Sequence, residues 1–586
     1  MKIDLFCLYK NIKYIKNCKY YGTLIKRRNF STCQWKFNNT VSHFSNKNND
    51  DYYWPNTDST IWMRSCENET IKPISGKITG KIPNWIKGSL LRNGPGCLKV
   101  GDYTFEHLFD SSALLHRFHI NNGKITYQNR FIQTNVYKKN KQAQRIVLTE
   151  FGTRSVPDPC QTIFKRVSAI FDPEENMTDN SMISIYPFGD DYYTFNETPF
   201  AHRISPETLE TKDRVYLTDH VNIVNHTSHP HVMPDGGVYN IGMGYNKSGP
   251  VYTIVHFPNI DNNSKTMFDN AKIISKIPAR WKLNPAYMHT FGITDNFFII
   301  IEQPLAISLI NMLGAQLKNK PLATCLKWHD DENTLFHIIS RKNGKIVKTF
   351  TAEAFFFFHI INQYESKNSD KITIDICCYR DANMLDCMYV DAMKNMHKNP
   401  NYAQLFRGRP LRFILPMNNK FTTDKEINTD NVFKKKSSAH KLDNGSVFIK
   451  PELLCNLGCE TPRYNQTYLG KKYRYFYAIS TDVDVENPGA VIKVDTKTKK
   501  RKIFYEKNLY PSEPIFVPRP DAKDEDDGVI LCAGVFGQEQ ETDVCLLILD
   551  AKNLDEVGRS TFSTPGPIPK CLHGWFAPDK ISTDTK

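Results

Sequence analysis

No run of apolar residues in this chain reaches the roughly 18 that a membrane-spanning helix requires. The longest candidate, from Phe297 to Leu313, is interrupted by Glu302, Gln303 and Pro304. A cysteine framework is missing too. The 15 cysteines are odd in number and scattered, and the close pairs Cys377-Cys378 and Cys455/Cys459 lack the partners of a zinc ribbon. Such usage belongs to a reducing compartment, where cysteine serves as a small hydrophobe. One-signed charge is scarce outside the N-terminus. Residues 1–30 carry Lys2, Lys10, Lys13, Lys16, Lys19, Lys26, Arg27 and Arg28 against Asp4 alone, a net of +7 and half of the chain's +14. The body mixes both signs, without a basic stripe interleaved with aromatics, and this sets nucleic acid aside as a partner.

What the chain does have is length and aromatic content. Its 586 residues are 40% hydrophobic, enough for a large core, and 36 Phe with 28 Tyr favour strands and greasy cavities. Residues 1–50 read as a basic extension. Within it, Arg27-Arg28-Asn29-Phe30-Ser31 is similar to a mitochondrial processing site. A disordered cytosolic extension is the competing reading, so the expected location is intracellular, either cytoplasmic or membrane-associated, with mitochondria open. From about residue 70 to 580 the chain reads as one all-β domain of short strands with turn punctuation. One hairpin pattern recurs at 118–128, 203–217, 337–350, 491–505 and 546–560. Five such units point to radial blades, and a large sandwich or several β domains is the alternative. The lysine-rich stretch Asn418 to Lys441 reads as a surface loop.

Four histidines stand in separate phrases at strand-like segments: His229 in TSHPHVMPDGG, His289 in YMHTFGIT, His359 in FHIINQYE and His573 in LHGWF. A closed fold that brought four neutral imidazoles together would make an all-nitrogen site, suited to Fe, Cu, Ni or Zn. One histidine taken alone is seldom a ligand, and His231 rivals His229 because alternate strand positions point the same way. Three glutamates in apolar or Pro-bearing segments strengthen the metal reading: Glu197 in FNETPF, Glu460 in CETPRYN and Glu513 in PSEPIF. A ligating histidine commonly donates its other ring N–H to a carboxylate, and carboxylates in apolar segments are costly unless paired. Spacing alone does not match these glutamates to these histidines.

At these residues the chain resembles the carotenoid cleavage oxygenase family. Its likeness is to the animal branch, which holds the beta-carotene oxygenases and the retinal pigment epithelium isomerohydrolase. The phrases that carry it are GSLLRNGPG (88–96), FEHLFDSSALLHRF (105–118), PDPC (157–160), TSHPHV (227–232), HTFGIT (289–294), HIINQYE (359–365) and SEPIFVPRPDAKDEDDGV (512–529). They span Ile74 to Phe576. The resemblance implies a seven-bladed β-propeller with a helical and loop cap over an axial metal site and an apolar tunnel. It implies Fe(2+) held by His229, His289, His359 and His573, with Glu197, Glu460 and Glu513 paired to the last three histidines in that order. One departure is Ser111 after Asp110, where the family often has glycine.

The implied activity is cleavage by O2 of a carotenoid double bond, with central cleavage of beta-carotene to retinal as the first expectation. Off-centre cleavage, retinyl ester isomerohydrolysis and non-catalytic carotenoid binding are the alternatives. Phe105, Phe109, Tyr287 and Phe355–Phe358 are the tunnel candidates. A carotenoid lives in lipid, so a peripheral membrane contact is expected. In the segment after PDPC, Ile163, Phe164, Val167, Ile170 and Phe171 fall on one helical face beside Lys165 and Arg166, with Cys160 available for acylation.

Overall fold

A computed structural model describes residues 52–158, 173–260, 265–418 and 436–579. The basic extension of residues 1–50 and the membrane-contact candidates Cys160 to Phe171 lie outside these residues. Among the described residues no helix is long and apolar enough to cross a membrane.

Seven sheets, antiparallel except for one added parallel pair in blade 4, form the blades of a β-propeller. Blade 1 holds Gly88–Cys97, Ser112–Asn121, Lys124–Phe131 and Ile74–Ser75, and its inner edge is the C-terminal strand His573–Pro578. Blade 2 runs Ser184–Phe188, Asp191–Phe195, Phe200–Ile204, Thr211–Tyr216. Blade 3 starts with the short pieces Asn225–His226 and His231–Val232 and continues through Val238–Asn246, Gly249–Phe257 and Lys272–Pro278. Blade 4 begins at Gly292–Ile293, blade 5 at Phe356–Glu365, and blade 6 at Glu460–Arg463. Blade 7 has a broken inner strand, Leu509–Pro511 then Ile515–Pro518, followed by Gly528–Phe536, Asp543–Asp550 and Glu556–Ser563. The ring is closed twice. Gly88–Cys97 pairs with His573–Pro578, and Lys77–Gly80 adds to the outer strand of blade 7.

Burial explains which segments became which strands. The middle strands of blade 7 are covered on both faces by neighbouring blades and read as near-continuous apolar runs. Its outer strand Glu556–Ser563 alternates, and Lys77–Gly80 is exposed throughout. The seam between blades 7 and 1 is filled by Leu90, Leu114, Phe118, Tyr127, Leu531 and Ile548. All five hairpins expected from sequence are present, each joining the third and fourth strands of its blade. In blade 1 the turn is Asn122-Gly123 with φ of 48° and 72°, the positive pair that a two-residue hairpin turn demands. The loop expectation for Asn418 to Lys441 is corrected at its end: Ser438–Lys441 pairs with Val447–Lys450, which adds parallel to Ile346–Ala352 and widens blade 4. Polarity masked a strand there because an outermost edge has one face in water.

Two helices and a run of short turns cover one end of the ring. Asn135–Ala143 is capped by Thr134, whose side chain accepts from the Tyr137 N–H, and Leu309–Lys318 by Ser308 in the same way. The turns between Ala382 and Leu405 are tied down by the His107 ring, which meets the Leu385 carbonyl at 3.1 Å. Of the described cysteines, all are free and all but Cys97 are buried.

Candidate metal centre

The inner edges of the sheets bring the four histidine phrases to one place. His229 sits in the gap between the two short edge strands of blade 3, and His289 lies just before the edge strand of blade 4. His359 is in the edge strand of blade 5, where the pairing register shifts between Phe357 and Ile360, so a bulge re-aims the side chain. His573 opens the closing strand of blade 1. The His229 ring lies 4.7 Å from that of His289, 4.9 Å from His359 and 4.7 Å from His573. The His359 ring is 5.2 Å from His289 and 4.9 Å from His573. Ligand nitrogens of His229, His289 and His359 all fall within 4.8 Å of one another.

The three glutamates reach the outer nitrogens. His289 Nδ1 lies 2.5 Å from Glu197 Oε1, His359 Nδ1 2.5 Å from Glu460 Oε2, and His573 Nδ1 2.8 Å from Glu513 Oε1. A carboxylate on Nδ1 fixes the tautomer with the proton there and leaves the Nε2 lone pair facing inward. The buried Nε2 atoms of His229, His289 and His359 have no hydrogen-bond partner. Orphaned acceptors of this kind are rare in a folded interior, and a metal ion satisfies them. The residues present fit a metal.

Electrostatics agree. Burial holds the His229 imidazole well below its ordinary pKa, and the neighbouring histidines push the same way. Burial lowers His289 despite Glu197, and lowers His573 to about 4 despite Glu513. These rings are therefore neutral at pH 7, as ligation requires. Burial raises the Glu460 and Glu513 carboxyls, yet their partners overcome it. His359 brings Glu460 below the usual range, and Arg463, His573 and Arg92 bring Glu513 far below.

Sequence reasoning missed the supports behind the glutamates. The Tyr287 hydroxyl donates to Glu197 at 2.8 Å. Glu513 accepts from Arg463 Nε at 2.7 Å, Arg92 Nη1 at 3.0 Å and the Gly574 N–H at 2.9 Å. A side chain at Gly574 would meet the Leu91 carbonyl oxygen at 2.2 Å, so the closing strand needs glycine beside His573. Beside Glu460, Thr461 has a φ of 48°, and its N–H donates back to the Glu460 carboxylate at 2.9 Å. A β-branched residue at positive φ is costly, and the register shift it accompanies turns Glu460 toward His359. The GCETP phrase carried a signal for this irregularity; Arg92 and Arg463 carried none, being distant in sequence from both His573 and Glu513. His231 is turned away, its Nε2 on the Phe291 carbonyl at 2.7 Å. Ser111 has a φ of −55°, which any residue adopts, so the missing glycine has no backbone consequence.

A cavity of about 1170 Å³ runs from His289, Glu197 and Tyr287 past Phe109, Phe151, Met182 and Leu385 toward helix Leu309–Lys318. Phe109 and Tyr287 line it as expected, and Phe358 packs on the His289 ring at 4.7 Å. Phe105 is corrected to core, among Leu98, Val100 and Ile146. Phe355 likewise packs on Phe336 and Phe413. Strand alternation sends only one face of the Phe355–Phe358 run toward the axis.

Together these features define a class: a β-propeller enzyme whose inner strand edges gather histidines for a non-haem metal centre at the end of an apolar cavity. The family described as "Retinal pigment epithelial membrane protein" matches residues 63–578, and the chain belongs to it. The chain is 51% identical to the carotenoid isomerooxygenase of Drosophila melanogaster, over 90% of this chain and 94% of that one. It is 37% identical to the beta,beta-carotene 15,15'-dioxygenase of Gallus gallus, over 89% and 98%. It is thus an animal-branch carotenoid oxygenase, from a family of non-haem iron enzymes. A cobalt-substituted Synechocystis ACO shares the fold, with a TM-score of 0.69 and 23% identity over 89% of this chain and 99% of that chain.

Proposed function

We propose that this chain uses Fe(2+) and O2 to cleave a carotenoid double bond to carbonyl products, cutting beta-carotene centrally to give retinal. The observation that carries the reading is the set of buried Nε2 atoms of His229, His289 and His359 that have no hydrogen-bond partner, with His289 also lining the cavity. His229, His289, His359 and His573 would hold the metal. Ferrous iron bound by four neutral nitrogens would supply open positions for oxygen chemistry and a positive centre. Glu197, Glu460 and Glu513 keep each paired histidine in the ligating tautomer. Phe109, Phe358 and Tyr287 hold the polyene against the site and exclude water. A second reading has isomerisation of one product accompany cleavage, and the isomerooxygenase relatives favour it.

A carotenoid must arrive from lipid. Helix Leu309–Lys318 lines the cavity and leaves Ile310 61% and Leu317 52% exposed, with Lys318, Lys320 and Arg154 close by on the same cavity. An apolar stripe with cations suits a membrane surface. That face would take up the substrate, and Ile163, Phe164, Val167, Ile170, Phe171 and Cys160, which lie outside the described residues, are proposed from sequence as further membrane contacts. The test is anaerobic loading with Fe(II), addition of beta-carotene in micelles, admission of O2 and separation of products. Retinal alone supports central cleavage, and a cis isomer in half of it supports the second reading. An apocarotenal with an ionone overturns central cleavage, and carotenoid unchanged under O2 overturns cleavage itself.

A further inference from the structure

Three of the four histidines have a carboxylate on the outer nitrogen, and His229 has none. Its Nδ1 meets instead the phenol oxygen of Tyr186 at 3.5 Å, while its Nε2 is buried without a partner. Tyr186 and Ser184 are alternate residues of the first strand of blade 2, so their side chains leave the same face. Both reach the phrase that carries His229. The Ser184 hydroxyl donates to the Ser228 carbonyl at 2.5 Å, which pins the backbone one residue before the histidine, and Tyr186 meets the ring itself. The phenol is also fixed. It is buried, with the Trp575 ring of the closing strand 5.4 Å away and Phe195 at 6.4 Å. Arg463, which holds Glu513 behind His573, acts on this phenol too, easing its ionisation against the opposing effect of burial. The support behind His229 is thereby tied to the one behind His573.

A phenol in place of a fourth glutamate suits the charge of the centre. Three carboxylates and the guanidiniums of Arg92 and Arg463 leave one negative charge, and a divalent ion turns that into one positive. A fourth carboxylate would cancel it and would need a cation of its own in the interior. A neutral oxygen keeps the positive charge and still accepts the ring N–H. The contact is long beside the 2.5–2.8 Å of the glutamate pairs, and its acceptor is uncharged, so it is the weakest of the four supports.

We infer that Tyr186 is the positioning residue of His229: its phenol oxygen accepts the Nδ1–H, which keeps the proton on the outer nitrogen and the Nε2 lone pair free for the metal. This rests on the four-histidine metal site proposed above and not on the identity of the substrate. The test uses the whole chain as wild type and as Tyr186→Phe, with histidines carrying the NMR-active nitrogen isotope. Spectra of the metal-free protein read the tautomer of each ring, and His229→Gln identifies the signals of that residue. Anaerobic chelator competition reads the affinity for Fe(II), and urea unfolding without metal reads stability. Wild type should hold the His229 proton on Nδ1. Tyr186→Phe should mix the two tautomers and lower Fe(II) affinity about threefold to tenfold, the effect of one neutral hydrogen bond. Loss of a carboxylate partner gives about 10–100-fold, so Glu460→Gln should lose more. A wild-type His229 with its proton on Nε2 overturns the inference, and that reading holds even where the phenylalanine variant does not fold. A folded variant that loses stability but keeps both tautomer and iron affinity reveals packing alone and overturns it as well. A wild type that binds no Fe(II) sinks the function proposed above, while the metal-free tautomer still decides the role of Tyr186.

Discussion

The carboxylates behind the histidines make separable predictions, and Glu460 gives the cleanest. Glu460→Gln removes the charge that accepts from His359 Nδ1 at 2.5 Å but keeps the size of the side chain. Changes to such outer partners lower metal affinity about 10–100-fold, equivalent to about 1.4–2.7 kcal/mol. Because a ligand stabilises the folded state by its own binding free energy, the same amount should vanish from the stabilisation that Fe(II) confers. Glu513→Gln should behave differently. It strands two guanidinium groups, Arg92 and Arg463, side by side in the interior. Removing one partner of a buried ion pair costs about 3–5 kcal/mol, so this variant should lose stability even without metal, whereas metal-free Glu460→Gln should lose about 1 kcal/mol. The assay is anaerobic denaturant unfolding of each variant with and without Fe(II), with chelator competition for affinity. Unchanged iron affinity in Glu460→Gln would refute the role assigned to the carboxylates. Equal metal-free stability of the two variants would refute the argument from the stranded arginines.

Two further outcomes are expected. Burial raises the Asp110 carboxyl to about 7, so the folded state takes up a proton below that pH while the unfolded chain waits until about 3.8. That term adds about 2 kcal/mol of stability as pH falls from 6.5 to 5. Burial lowers His107 to about 4, which has the opposite sign and removes a similar amount over the same interval. Asp110→Asn should therefore expose the histidine term and lose about 2 kcal/mol more than the parent between pH 6.5 and 5 in urea unfolding; an unchanged slope contradicts the assignment. Replacement of Phe164 and Phe171 with Ser should release the protein from liposomes, and undiminished co-sedimentation would remove that segment from the membrane face.

How much of this was legible beforehand depended on where each residue sits in its blade. The five hairpins read from sequence are all outer pairs, where one face meets solvent and alternation with a tight polar turn survives, as in Asn121-Asn122-Gly123-Lys124. Inner strands carry no such pattern. Most are short, and those of blades 3, 6 and 7 are broken or irregular at the very phrases that carry His229, Glu460 and Glu513. The four histidine and three glutamate phrases were nonetheless visible, since histidines and glutamates are conspicuous among apolar and proline-bearing segments. The pairing of glutamate to histidine was not, because it depends on ring closure: Glu513 is 60 residues from His573, and Glu460 is 101 from His359. Arg92 was illegible for the same reason, and Tyr287, read as a tunnel residue, gave no sign that its hydroxyl reaches Glu197.

The pairings also say when the centre can form. His359 and Glu460 lie on adjacent blades 5 and 6, so their bond crosses one seam. Glu197 comes from the second hairpin of blade 2 and reaches His289 on blade 4 past the blade that carries His229. His573 is reached last, because its strand comes from the C-terminus and pairs with Asn93 in blade 1. Glu513 of blade 7 binds His573 and Gly574, and Arg463 of blade 6 binds both Glu513 and the Gly574 carbonyl at 3.1 Å. The network that orients the last histidine is therefore the network that closes the ring. An open ring would place three histidines without the fourth, and the gain from closing it includes the gain from metal binding. In this fold the ligand set and the final seam are one structural unit, so loss of the closing strand should cost the metal as well as the blade.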